Sequence, residues 1–174
     1  MKRLYAVAVL GRDRPGIVAD VSGRLLRLGC NIEDAVTSLL SGQFALMLVC
    51  ASPADVSAEA LRDGLEGLPA DLHVAVWDVE ERPAPGGATH VVTVYGPDQV
   101  GIVHRVATVL GERAVNITDM TCRLSPSRTA LYALTLEVEV PEALAVADLE
   151  AALRAAVAPL GLELTLSPLQ AEVL

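Results

Sequence analysis

The sequence predicts an α+β chain made of two copies of one βαββαβ unit, each a four-stranded antiparallel sheet with two helices on one face. Three observations carry that prediction. Sliding the 174-residue chain by 85 positions lays residues 9–34 on residues 94–119 without a gap, with 11 of 26 positions identical. The order of periodicities is the same in both halves: an apolar run, a 3.6-residue pattern, two alternating runs, a second helical pattern and a last short run. Between the halves lies Glu80-Glu81-Arg82-Pro83-Ala84-Pro85-Gly86-Gly87-Ala88, the stretch richest in Pro and Gly. It divides the chain into residues 1–82, a linker over 83–88, and residues 89–174.

In the first unit, residues 4–10 read as a buried strand broken by Gly11-Arg12-Asp13-Arg14-Pro15-Gly16. Ile17, Val18, Val21, Leu25 and Leu28 recur at helical spacing, and Gly29 stands where a helix ends in a left-handed residue. Residues 31–40 alternate, with Ile32, Asp34, Val36, Ser38 and Leu40 on one face. Ser41-Gly42 turns the chain into residues 44–51, apolar on both faces. Pro53 and Asp55 open a second helix through Val56, Leu61, Leu65 and Leu68, and residues 72–79 form the last strand. The second unit repeats this with a strand at 91–95 and a helix carrying Ile102, Val103, Val106, Val109 and Leu110. Strands at 116–124 and 130–140 flank a hairpin at 125–128, and a helix at 142–158 leads to a strand at 162–166. Strands one and three are the most apolar in each unit, which suits the centre of a sheet ordered 4-1-3-2. One helical layer leaves a bare sheet face, so pairing between units or chains, as a homodimer, is expected.

Composition excludes several classes. Thirteen Lys and Arg stand against 22 Asp and Glu, a net charge of −9, with the acidic excess spread over both halves. That opposes direct nucleic-acid binding, which depends on neutralising phosphates with cationic side chains. No stretch reads as a membrane span or a signal peptide. Cys30, Cys50 and Cys122 are odd in number and lack metal-ligand spacing, so they read as small buried hydrophobes in a reducing cytoplasm. His73, His90 and His104 do not recur between the copies. No nucleophile elbow or phosphate-binding glycine loop is present, and no metal, cofactor or catalytic role is expected.

The polar residues that recur are the candidates. Asp13, Arg14, Pro15, Gly16 and Ile17, with Asp98, Gln99, Val100, Gly101 and Ile102, sit where the first strand of each unit meets its first helix. One reading is architectural: Asp as helix cap, Pro in the first turn, Gly for tight helix–strand approach. The other is that free N–H groups at the positive end of the helix seat a small carboxylate. Asn31-Ile32 and Asn116-Ile117 open the next strand, and the Asn amide offers both donors and an acceptor. Together with Asp13 or Asp34 they present, in one small region, the complement of a zwitterionic amino acid. Asp34 and Asp119 also fit a solvated strand position.

The motifs Gly11-Arg12-Asp13-Arg14-Pro15-Gly16-Ile17-Val18 with Gly29-Cys30-Asn31-Ile32, and Gly96-Pro97-Asp98-Gln99-Val100-Gly101-Ile102-Val103 with Asn116-Ile117, resemble those of tandem ACT-domain proteins. They are most similar to the glycine cleavage system transcriptional repressor family. A similar opening marks the regulatory domain of formyltetrahydrofolate deformylase, whose catalytic domain does not fit in 174 residues. The resemblance implies ferredoxin-like units that bind an amino acid, glycine or a similar one, through the strand–helix loop and the Asn region. It further implies action on a DNA-binding activator protein; the alternative is a stand-alone regulatory subunit of an amino-acid or one-carbon enzyme. Val100 in place of Pro15, Ala114 in place of Gly29 and Arg113 in place of Leu28 distinguish the second copy.

Overall fold

The computed structural model describes residues 2–69, 71–80, 86–125 and 131–169. The chain forms two compact units, Met1–Pro83 and Ala84–Leu174. The first runs β1 (Arg3–Arg12), α1 (Ile17–Arg27), β2 (Asn31–Leu40), β3 (Gln43–Ser52), α2 (Ala58–Leu65) and β4 (Leu72–Val79). The second runs β5 (His90–Pro97), α3 (Ile102–Glu112), β6 (Asn116–Ser125), β7 (Leu131–Glu139), α4 (Val146–Val157), a 3-10 turn (Ala158–Leu160) and β8 (Glu163–Pro168). Both are βαββαβ units with fully antiparallel sheets, ordered β2-β3-β1-β4 and β6-β7-β5-β8. Most of the expected hairpin at 125–128, half of the linker and the residues 170–174 lie outside the described residues.

Each core sits between one sheet face and the two helices. In the first unit Tyr5, Val7 and Val9 of β1 and Leu46, Leu48 and Cys50 of β3 meet Ile17, Val21 and Leu25 of α1 and Leu61 and Leu65 of α2. In the second, Val92, Val94, Leu134, Leu136 and Val138 meet Ile102, Val106, Leu110, Leu149, Leu153 and Val157. The Tyr5 hydroxyl, buried with its ring, donates to the Val56 carbonyl at 3.1 Å. Arg24 reaches from α1 to the end of α2. It donates to the carbonyls of Gly64 at 3.2 Å, Gly67 at 2.8 Å and Glu66, so one side chain satisfies carbonyls that the helix end leaves free.

Two expectations about helix starts are corrected. Ser57, not Pro53 or Asp55, caps α2: its hydroxyl accepts from the Ala60 N–H at 3.1 Å. The fourth helix begins only at Val146, after a turn in which the Leu144 N–H donates to the Pro141 carbonyl at 2.9 Å.

Both first helices end alike. The Cys30 N–H donates to the Leu25 carbonyl and the Gly29 N–H to the Leu26 carbonyl, each at 3.0 Å, with Gly29 at φ 72°. The Val115 N–H donates to the Leu110 carbonyl at 3.0 Å and the Ala114 N–H to the Gly111 carbonyl at 3.1 Å, but here Ala114 takes φ 54°. This is the Schellman closure, and a Cβ in that conformation costs about 1 kcal/mol or more. Replacing Ala114 by Gly is therefore expected to raise stability by up to about 1 kcal/mol, and Gly29→Ala to lower it by about 1–2 kcal/mol. Denaturant melts of the two variants measure both signs.

The Cys30 and Cys50 thiols are buried in the first core, while Cys122 is exposed on β6. Burial, with Cys30 beside it, pushes the Cys50 thiol up to about 11 from its ordinary 9.0. The unfolded chain thus releases this proton first, and stability falls as pH rises from about 9 towards 11. Melts across that window should show a shallower loss in Cys50→Ala. A thiol reagent at pH 8 should modify Cys122 in the native protein and leave the buried pair unreacted.

Candidate functional site

The strand–helix loops are built alike in the two units, but not as a capping carboxylate would build them. Gly16 and Gly101 are the N-cap residues, at φ 96° and 95°, and neither helix start receives a side-chain cap. Asp13 and Asp98 lie three residues upstream, and both are exposed. The first intrahelical bonds run from the Asp20 N–H to the Gly16 carbonyl, 2.8 Å, and from the Arg105 N–H to the Gly101 carbonyl, 3.0 Å. The N–H groups of Ile17, Val18 and Ala19, and of Ile102, Val103 and His104, precede those bonds and face the positive end of the helix.

The role expected for the glycines changes too. A Cβ on Gly16 would meet only the Arg14 guanidinium, at 3.8 Å, and one on Gly101 nothing within 4 Å. Gly is required there by its positive φ, which turns the chain sharply into the helix. Close approach occurs instead at Gly11, against the Asp71 carbonyl and Leu72, and at Gly96, where a Cβ would lie 2.7 Å from Leu162.

The loops differ in what holds them. The Asp13 N–H donates to the Gly42 carbonyl at 3.0 Å, tying the first loop to the β2–β3 turn. Arg14 folds over it, its Nη2 3.0 Å from the Asp20 carboxylate and its Nη1 donating to the Pro15 carbonyl at 3.3 Å. In the second unit Gln99 takes the place of Arg14 and donates to the Leu160 carbonyl at 2.6 Å, and Val100 is fully exposed. The first turn of α1 contains the acid Asp20 while that of α3 contains none, so the second helix start carries the less compensated positive end.

Asn31 and Asn116 stand apart from these loops. Asn31 follows the C-terminal end of α1, and the 11 residues of that helix separate it from Gly16 by roughly 16 Å. The strands agree: Asn31 pairs with Ala51, next to Leu4 at the start of β1, whereas the loop leaves the other end of β1. Within one unit the expected gathering of loop and Asn in one small region is therefore corrected; they lie at opposite ends of the helix that joins them.

A different gathering takes its place. Register shifts between Ile32 and Asp34, and again between Ile117 and Asp119, so β2 and β6 carry a bulge at the same repeat position. Ile32 pairs with Cys50 on the helix side, while Asn31 and Asp34 pair with Ala51 and Val49 on the opposite face. The single-face alternation expected for Ile32 and Asp34 thus breaks at Glu33, because the extra residue inverts the parity of the strand. The same shift brings Asn116 and Asp119 onto one face, next to Glu139 and Glu137. The copies differ accordingly: apolar neighbours surround the first Asn–Asp pair, and two further carboxylates the second. Between α1 and β2 runs an open groove of about 420 Å³ lined by Ser22, Gly23, Leu26, Asn31 and Ile32.

No group of three or more metal-ligating side chains occurs among the described residues, and no described helix is long and apolar enough to cross a membrane. Two ACT domain matches span residues 5–77 and 90–156, one on each unit. The chain belongs to the ACT-domain family. Along most of its length this tandem ACT protein is homologous to the glycine cleavage system transcriptional repressor of Escherichia coli, 27% identical over 154 residues, or 86% of this chain and 81% of the relative. It also resembles a UPF0237 protein of Methanopyrus kandleri, 46% identical over 71 residues, covering 40% of this chain and 79% of that one. The crystal structure of an unknown protein from Galdieria sulphuraria shares the two-unit fold with a TM-score of 0.84 at 24% identity, covering 98% of this chain and all of the other.

Because φ rather than space demands glycine, Gly16→Ala and Gly101→Ala should each lower stability by about 1–2 kcal/mol even though an added Cβ has room. Thermal melts of the two variants measure the cost.

Proposed function

We propose that this protein is a non-catalytic regulator that binds a small amino acid, glycine or one close to it, and acts through a protein partner rather than on DNA. The observation that carries the reading is the doubly repeated helix start, entered through a positive-φ glycine and uncapped by any side chain. Its free N–H groups suit a carboxylate, and Asp13 or Asp98 on the same loop suits the ammonium of the same molecule. An α-amino acid carries both charges on one carbon, so a single loop can address both. The long homology to a glycine cleavage system repressor supports the choice of glycine, and the net charge of −9 supports a protein target over DNA.

In this reading the loop is the seat, and Asn31 and Asn116, at the far end of each first helix, belong to a second contact region with Asp34 and Asp119. The ligand changes the partner's behaviour to the extent that it favours one arrangement of the protein over another. A cytoplasmic setting and a homodimeric state accompany the proposal.

A melting screen against the twenty amino acids is expected to show a shift with glycine or a near relative and none with the large side chains, since specific binding stabilises by mass action. Calorimetric titration should then show about a tenfold or greater loss of affinity in Asp13→Ala or Asp98→Ala at unchanged folding. No shift with any amino acid would overturn the reading. Native co-purification distinguishes a DNA-binding activator from an amino-acid or one-carbon enzyme as the partner.

A further inference from the structure

The faces of the two sheets that point away from their own helices differ in chemistry at matching places. In the second unit one row across all four strands is threonine throughout: Thr121 pairs with Thr135, Thr135 with Thr93, and Thr93 with Thr165. In the first unit the same row reads Val36, Met47, Ala8 and Ala75. The flanking rows follow suit. Asp119, Glu137, Val91 and Ser167 stand where the first unit has Asp34, Val49, Ala6 and Trp77. Arg123, Ala133, Tyr95 and Glu163 stand where it has Ser38, Ala45, Leu10 and His73. A hydroxyl row is at home in water; the apolar row leaves Val36 64% and Met47 48% exposed, and Leu10 in the flanking row is 53% exposed.

We propose that the outer face of the first sheet is a homodimer interface, packed about a two-fold axis against the same face of a second copy. The shape supports an isologous fit. Met47 rises near the middle of the face between two hollows. One, of 160 Å³, is lined by Val36, Met47 and Val49 with Asp34 at its edge; the other, of 260 Å³, is lined by Ala8, Leu10, Val36 and Ala45. A two-fold axis sets each Met47 into a hollow of the opposite copy, and the flexible thioether fills such a hollow well. Sheets stacked face to face sit about 10 Å apart with side chains interdigitated.

Area sets the expected strength. Four strands about 4.8 Å apart, with about eight residues each at about 3.4 Å, give a footprint of roughly 500 Å² per copy. About 1,000 Å² in total just reaches the size of a specific interface, so a reversible dimer is expected. A like face suits this chemistry: self-pairing brings no like charges together at the centre of the patch, because side chains such as Asp34, His73 and Arg12 lie at its margins.

Sedimentation velocity of the full chain from about 1 to 100 μM tests the proposal independently of any ligand. The chain is expected to dimerise over this range. Met47→Glu should weaken the dimer by about a hundredfold or more, because the new carboxylate is buried without a partner. The fourfold change A8T/V36T/M47T/A75T, which copies the threonine row with residues that favour strands, should leave a folded monomer by circular dichroism. Thr135→Glu, on the matching row of the second unit, should leave dimerisation unchanged. A chain monomeric at 100 μM, a dimer indifferent to both first-unit variants, or one dissociated equally by Thr135→Glu would overturn the proposal.

Discussion

Each unit has helices on one side of its sheet only, and this one-sidedness governs what every strand residue can do. The helix-facing residues of β1 and β3, and of β5 and β7, are closed in by α1 and α2 or by α3 and α4, and form the cores. Their alternate neighbours have no helix of their own unit above them, so their chemistry is set by whatever they meet there: water, ligand or another protein. The second unit answers with threonine and carboxylates, the first with alanine, valine, leucine and methionine. A duplicated fold has thus kept one face and diverged on the other, which is the division of labour expected when the shared core must fold both copies and each outer face meets a different neighbour.

Much of this was legible from the residues. The 85-residue repeat, the apolar central strands and the helical spacing of Val21 and Leu25 or Val106 and Leu110 fix element types and sheet order, because burial on one or two faces leaves a period in the chain. Gly29 was readable as a left-handed closure. Ala114 was readable only as a departure, since alanine gives no sign of the positive φ that tertiary packing imposes on it.

The site was harder to read for geometric reasons. Spacing along the chain places Asp13 and Asn31 18 residues apart but says nothing of the helix that holds them at opposite ends. The bulges at 33 and 118 have no compositional mark, being ordinary Glu and Thr, yet they decide that Asn31 and Asp34 share a face. In a regular strand, their separation of three residues would point the two to opposite sides. The glycine at each helix start was recognised, but for tight packing; the demand lies in φ, and the tight packing belongs to Gly11 and Gly96, one strand-end earlier.

The bulges also bear on the free rims of the two sheets. β2 and β6 are edge strands of 10 residues, exposed along their length or nearly so, and a straight edge of that kind invites chance pairing with any extended peptide. An unpaired extra residue near the start of each breaks the ladder and strengthens the local twist. An incoming strand therefore meets an uninterrupted rim only from Asp34 or Asp119 onward. The residue that aligns Asn with Asp thereby also shortens the stretch of rim that a stray strand could pair with.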